Sequence, residues 1–407
     1  MYRTRNSRNA NNATSSRAAQ SSSQGTKTPR SPRFSTHRSR RPFTRTSYAG
    51  VRSSLFEPST DPANTLGPPG RRTTEAETVQ TGAPRDRTHE KADVAAVVVT
   101  YQTPKPLQRC LESLRSASAR VLVADNGSDD ETADMIRSDF PKTCYKRFLD
   151  NPGYGAAVNR VRPDIAEPYF VVLNGDTEIR PGALGALADY LAQHPRAGLV
   201  GPLLRHADGR VQPSCYPVAS PLQLLLEESR AGALLGRIPW LRQRYLRTWA
   251  HDRDRSVPWV LGAAMAVRAT AFDSVGGFDE SYFLYYEEVD LCQRLRDAGW
   301  EVHFTPTAEV IHDGGASTDQ FPSAAARTYY ASAARFYRSH RSRASWLGFR
   351  AVVAAVATAH LLRDGARARL SVRTSPRASS SEATRLWRAV LRDVRTGWRS
   401  ENPDGHD

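Results

Sequence analysis

The sequence predicts an α/β protein with a mostly parallel β-sheet flanked by helices, and three observations predict it. Val-rich apolar runs without polar alternation, such as VAAVVVTY, mark strands covered on both faces. Between about residues 93 and 204 these runs alternate with segments of helical spacing, the rhythm of a parallel sheet with crossover helices. Successive runs end in polar residues, where open α/β sheets bind ligands.

The elements follow in order. After the first strand, TPKPLQRCLESLRS spaces Leu107, Leu111 and Leu114 as a helix with prolines in its first turn. ARVLVADNGSDDET is a second buried strand and a polar loop, TADMIRSDF a helix, and YKRFLDNPGYG a third strand with a Gly-containing turn. YGAAVNRVRPDI is a helix, PYFVVLNGDTEI a fourth strand, GALGALADYLAQH a helix and AGLVGPLL a fifth strand. HADGRVQPS is a turn with Asp208-Gly209 at its tip. Residues 221–256 are Leu- and Arg-rich and helical in pattern. VPWVLGAAMAVRATAF predicts a strand leading into a helix, and WEVHFTPTAEVIHDGG a further strand ending at His312. Helices are expected from Phe321 to about residue 373. The remainder, 374–407, is expected to be largely disordered with at most a short helix.

The net charge of +15 sits at the ends of the chain. Residues 1–90 carry 16 Lys/Arg against 6 Asp/Glu, residues 327–407 carry 16 against 6, and the middle carries 25 against 30. Residues 1–92 lack apolar periodicity and are expected to be a disordered basic tail. Such ends suit an anionic surface, either lipid or nucleic acid. No apolar run near Met1 has the length of a signal peptide, and Cys110, Cys144, Cys215 and Cys292 are scattered without a zinc-type spacing. The expectation is a cytoplasmic protein, peripheral on the inner face of the plasma membrane. Trp346 to Leu362 is the most apolar stretch, but it holds Arg350 and His360 and suits a membrane interface or a packed helix.

The chemistry-bearing residues cluster at strand ends: Thr100 and Tyr101, Asp125 and Asn126, Asp150 and Asn151, Asn174 and Asp176. Asp176, with Asn174 two residues earlier, offers oxygen to a hard cation such as Mg²⁺ or Mn²⁺, and His312 could add a nitrogen. Asp125 could accept the imide N–H of a pyrimidine base, or simply open the turn DNGS. LYYEEVDLCQRLRDAG places Glu287, Glu288 and Asp290 in the first turn of a helix ended by Gly299. Acidic residues suit a helix N-terminus, and Asp290 with Arg294 fits an ordinary exposed ion pair. One of the three could instead be a general base.

Taken in order, VVVTY, VADNGSDD, DNPGYGAAVNR, VVLNGDTEI, GLVGP, VGGFDESYFLYYEEVDLCQRLRDAGW and IHDGG resemble the family-2 glycosyltransferases of GT-A fold, within them the bacterial rhamnosyltransferase-like branch. The resemblance spans roughly residues 93–318. It implies inverting, metal-dependent transfer of a sugar from a nucleotide diphosphate donor, dTDP-rhamnose or a related one, to a hydroxyl of a glycan or polyprenyl-linked glycan. It also implies a place in cell-envelope polysaccharide synthesis. By the resemblance, Thr100, Tyr101, Asp125 and Asn126 hold the nucleoside, and Asn151, Gly153 and Asn159 belong to the segment closing over the donor. Asn174 lies beside Asp176, which matches the metal-binding acid, and His312 the later metal or diphosphate contact. Trp259 and Gly262 line the acceptor side. Glu288 falls where the family has its catalytic base, usually Asp, with Glu287 beside it as the second candidate. Asn174 replaces an Asp common in the fold. The alternative reading is a catalytically degenerate transferase scaffold that binds nucleic acid through its arginine-rich ends.

Overall fold

The computed structural model describes residues 94–228, 249–312, 314, 322–370 and 377–398. The basic tail expected over residues 1–92 lies outside them, as do residues 229–248 of the Leu/Arg-rich stretch.

Valine-rich β1 (Val94–Thr100) is buried along its whole length. Alternate residues serve opposite cores: Ala95, Val97 and Val99 face one, Val94, Ala96 and Val98 the other. Helix α1 (Pro104–Leu114) packs its leucines on the second core. β2 (Arg120–Asp125), α2 (Asp130–Asp139), β3 (Cys144–Arg147), α3 (Tyr154–Val161) and β4 (Tyr169–Asn174) then continue the predicted alternation. These four strands are parallel and ordered β3-β2-β1-β4. Asp129 caps α2, its carboxylate accepting from the Thr132 N–H at 3.1 Å.

The predicted fourth strand is in fact two. β4 stops at Asn174, and after a turn at Gly175-Asp176, β5 (Thr177–Ile179) leaves for the far edge of the sheet. After α4 (Ala183–Gln193) and β6 (Ala197–Arg205), a turn at Asp208-Gly209 leads into β7 (Val211–Gln212) beside β6. β8 (Cys215–Tyr216), α5 (Pro221–Glu228), β9 (Arg255–Ser256), β10 (Trp259–Val260), β11 (Ala264–Arg268) and α6 (Ala269–Ser274) follow. VPWVLGAAMAVR thus also divides. β10 pairs with β8, whereas β11 enters the main sheet antiparallel, between β4 and β6. An antiparallel strand amid parallel ones was not legible because β11, buried on both faces, has the same apolar signature as its neighbours.

Helix α7 (Glu287–Asp297) and β12 (Glu301–His312) complete the sheet, β12 lying parallel to β6 and antiparallel to β5. Among the described residues three helices follow: α8 (Pro322–His340), α9 (Arg343–Leu370) and α10 (Arg377–Thr396). The last corrects the expectation of a largely disordered tail. Its Leu386, Trp387, Val390 and Val394 form an apolar stripe at helical spacing, buried in the first core. Trp387 stacks on His360 of α9 with ring centroids 4.2 Å apart.

The Asp290–Arg294 pair exists, but it is not the exposed pair expected. The Asp290 side chain is 2% exposed; Oδ2 accepts from Arg294 Nε and Oδ1 meets His340 Nε2, both at 2.6 Å. Arg294 Nη1 also donates to the carbonyls of Val275 and Gly277. One carboxylate therefore ties α7 to the end of α8 and to the glycine loop before it. Asp290→Ala strands the Arg294 guanidinium and is expected to cost about 3–5 kcal/mol. Urea unfolding of the variant against the parent checks this, and an unchanged midpoint would contradict it.

Candidate active site

Sheet register collects the polar strand ends. Thr100 pairs with Asp125, and Val99 with Asn174, so three adjacent strands end together. The β5–β12 pairing sets Thr177 opposite His312, which carries the histidine to the turn holding Asp176. His312 Nε2 lies 3.4 Å from Asp176 Oδ1 and 3.4 Å from Asn174 Nδ2.

Sequence reasoning missed Gln212 on β7. Its Oε1 is 3.0 Å from His312 Nδ1, and it is 3% exposed. An amide oxygen there accepts the Nδ1 proton and leaves Nε2 with its lone pair. Nε2 and the Asp176 oxygen are then two acceptors facing each other, an arrangement that a cation or a proton satisfies. The donor set fits a hard-to-borderline divalent ion with two protein ligands, its remaining positions left to substrate oxygens and water. Among the described residues no cluster of three or more His, Cys, Asp or Glu is suited to hold a metal by itself.

The turn before β11 links this pair to the acidic helix. The Ala263 carbonyl accepts from the Asn174 N–H at 2.9 Å. Gly262, next to it, lies against Glu288: a Cβ added there would be 3.5 Å from the glutamate's Cβ and Cγ. The Gly262 carbonyl accepts from the Tyr154 hydroxyl at 2.7 Å. Tyr154, also missed, stands among the carboxyls of Glu287, Glu288 and Asp176. Burial first, and then those three charges, push its hydroxyl well above the ordinary tyrosine value, so it stays a donor.

Glu287 and Glu288 are 5% and 2% exposed. Burial, and secondarily the charge of Glu288, raise the Glu287 carboxyl well above the glutamate range. Glu287 Oε2 has no hydrogen-bond partner among the described residues. The pair thus favours a shared single charge. Helix α7 starts without a side-chain cap, and its two preceding residues, Tyr285 and Tyr286, have φ of 66° and 67°. Left-handed backbone at two non-glycine residues costs about 1–3 kcal/mol each and is held by the surroundings. Ring contacts of Tyr286 with Tyr329 and Phe336 of α8 are part of that support.

Gly153 must be glycine. Its φ is +95°, and a Cβ would lie 2.3 Å from the Phe283 carbonyl oxygen, which also accepts from the Tyr154 N–H. The loop containing Asn151, itself at φ 43°, is so fastened to the approach to α7. Asn159 clasps the GGFDE loop: its Nδ2 donates to the Phe278 carbonyl and to Glu280, and its Oδ1 accepts from the Phe278 N–H.

Asp125 is fully buried, Oδ1 accepting from the Ser128 N–H at 2.8 Å and Oδ2 from the Tyr145 hydroxyl at 2.6 Å. It holds the turn and exposes no oxygen to a base. Its neighbour Asn126 has a buried Oδ1 with no partner among the described residues. The Thr100 hydroxyl bonds that of Thr103 at 3.1 Å, and Tyr101 stands half-buried beside it. Trp259 stacks on Tyr216 at 4.3 Å and donates its indole N–H to the Pro217 carbonyl. With Tyr286, Tyr329 and Tyr337 these rings line a cavity of about 20 Å³, water-sized and next to the start of α7.

A family model described as glycosyltransferase-like family 2 matches residues 91–375. The chain is 39% identical over 250 residues to N-acetylglucosaminyl-diphospho-decaprenol L-rhamnosyltransferase of Mycobacterium tuberculosis, spanning 57% of this chain and 80% of that protein. It is 39% identical over 88 residues to rhamnosyltransferase WbbL of Escherichia coli, spanning 22% of this chain and 33% of that one. Among solved structures, the mannosyltransferase PcManGT of Pyrobaculum calidifontis, in complex with GDP-Man and Mn²⁺, gives a TM-score of 0.44 at 16% identity. That match covers 76% of this chain and 88% of the other.

The Glu287 carboxyl titrates higher in the folded chain than in the unfolded one. Its contribution to stability is complete below the ordinary value of 4.5 and is lost as pH rises through its folded value. Glu287→Gln is therefore expected to gain stability relative to the parent as pH climbs from 4.5 towards 8, by at most about 1.4 kcal/mol per pH unit, seen as a rising difference in melting temperature. Parallel thermal melts across that range test it. A Gly153→Ala variant should lose about 2 kcal/mol or more at any pH in the same assay.

Proposed function

The chain belongs to glycosyltransferase-like family 2, and from that premise we propose that it transfers a sugar, rhamnose from dTDP-rhamnose in the favoured case, to a hydroxyl of a lipid-linked glycan with inversion at the anomeric carbon. The observation that carries this reading is the Gly262-Ala263 turn. It touches Glu288 on one side and the strand end bearing Asn174 on the other, which supports a base and a cation-holding pair acting on one substrate. The rhamnose donor and the lipid-linked acceptor are taken from the name of the mycobacterial relative.

In this mechanism the acceptor hydroxyl approaches the anomeric carbon from the face opposite the leaving diphosphate. Glu288 accepts the hydroxyl proton as the new bond forms. A single base suffices for inversion. Tyr154 fixes the Gly262 carbonyl and so the floor under Glu288. Asp176 and His312 Nε2 would hold a divalent cation, Mg²⁺ or Mn²⁺, which when bound supplies positive charge against the diphosphate. Gln212 keeps His312 in the tautomer that presents Nε2. Tyr101, half-buried at the end of β1 next to Thr100 and Asn126, is the group left to meet the nucleoside.

Glu288→Gln is expected to lower kcat by about 10²-fold or more with the donor still bound, and Asp176→Ala to lose transfer and metal response together. Gln212→Ala should shift the Mn²⁺ requirement upward by about 10–100-fold while retaining kcat at saturating metal. Transfer assays with dTDP-, UDP- and GDP-sugars over a metal titration read all three. Full activity in both Glu288→Gln and Asp176→Ala would end this assignment.

A further inference from the structure

We propose that His251 is a titratable positioning residue: as a neutral imidazole it holds the Pro213-Ser214 link between β7 and β8, and through it the turn that sets Gly262 against Glu288, and protonation releases that hold. His251 is buried, and two backbone groups fix its proton. Nδ1 lies 2.8 Å from the Trp249 carbonyl oxygen, which can only accept, so Nδ1 carries the hydrogen. Nε2 accepts the Ser214 N–H at 3.3 Å, and that group can only donate, so Nε2 keeps its lone pair. A second proton would sit on Nε2 and set donor against donor. The residue has φ of 55°, a left-handed backbone that persists in a non-glycine residue where the surroundings enforce it. Trp249 stacks on the ring at 5.0 Å and Phe304 of β12 meets it edge-on at 5.1 Å.

The link transmits the hold to the site. The Ser214 carbonyl accepts the Leu261 N–H at 2.8 Å, and Leu261 precedes Gly262. The β8–β10 pairing, with Cys215 opposite Val260, continues the same connection. Among the described residues, the charged groups nearest the ring are on its own stretch. Asp252 favours the imidazolium and lies 3.8 Å from Arg253. Arg253 and Arg255 stand over the Trp249 ring at 5.8 and 5.4 Å, and Asp254 accepts from the Thr305 hydroxyl. β12 offers Phe304 and turns His303 to Tyr190 on its other face. The β7–β8 link brings Cys215, whose thiol burial pushes up, so that it stays neutral. Burial outweighs the Trp249 bond and Asp252 and depresses the imidazole below its ordinary 6.5. The folded chain therefore takes this proton less readily than the unfolded one. The contact is intact above 6.5, stability falls as pH drops below 6.5, and the hold is lost as pH passes through the folded value. Its effect on turnover rests on the transferase reading of the site; the hold itself does not.

The experiment is amide hydrogen exchange on the full chain, read at Ser214 and Leu261 and corrected for the intrinsic pH dependence of exchange. In the parent, protection of both amides should fall about tenfold or more between about pH 7.5 and about pH 5.5, while amides of β1 keep theirs. His251→Gln places a non-titrating oxygen near the Nε2 position and should hold protection within about threefold over that range. His251→Asn suits the left-handed backbone and keeps a donor for Trp249 but does not reach Ser214. It should show the low, acid-like protection at both pH values. In transfer assays with dTDP-, UDP- and GDP-sugars, the parent should lose kcat/KM on the acid side about tenfold relative to His251→Gln. The acid limb that both share belongs to Glu288. Circular dichroism certifies each variant's fold, and the parent's own exchange profile decides the matter where a variant fails to fold. Undiminished Leu261 protection in the parent at about pH 5.5 would overturn the proposal. So would equal acid losses in parent and His251→Gln, or parent-like protection in His251→Asn. If no donor is turned over, the transferase reading falls, and the exchange profiles still decide on His251.

Discussion

The hydrogen bond from the Asn174 amide to the Ala263 carbonyl is the constraint on which the site depends. It exists because β11 runs antiparallel against β4, so the turn entering β11 lies level with the end of β4. With that turn in place, Gly262 lies against Glu288, close enough that an added Cβ would just touch it. Had β11 been parallel, its entry turn would lie at the opposite end of the sheet. The acids of α7 would then share no space with the strand ends.

Around this joint the molecule spends polar groups in two ways. Some are closed into the fold: Asp125 between Ser128 and Tyr145, Asn159 in the glycine loop, Asp290 between Arg294 and His340. Others stay under-satisfied, as with the Glu287 oxygen and the Asn126 carbonyl oxygen. Buried polar atoms without partners are expensive, and these two lie at the end of β2 and at the start of α7.

The order of strands and helices through β6 was legible because each Val-rich run and each leucine spacing reports burial directly. Strand direction was not, since a strand buried on both faces reads alike in either sense; β11 is the instance. The gathering of Asn174, Asp176 and His312 follows from register, which period alone does not specify across 138 residues. Gln212 left no signal, being a lone glutamine in a two-residue strand. Helix α10 did leave one, in Leu386, Trp387, Val390 and Val394, but serine and arginine around it dominate the composition. Asp290 looked solvent-facing because Arg294 four residues on is a common surface partner, and His340 comes from a helix fifty positions away.

Tyr285 and Tyr286 carry a consequence for how this chain can vary. Both hold a backbone twist that glycine or asparagine would accept at little expense. Their rings, through Tyr329 and Phe336, join the Asp290–His340 contact and the bond from the Ser332 hydroxyl to the Leu284 carbonyl in fastening the approach of α7 to α8. Exchanging either for glycine relieves the twist and loosens that fastening in one stroke. Each position is thereby held between a backbone that favours glycine and a ring contact that glycine cannot make.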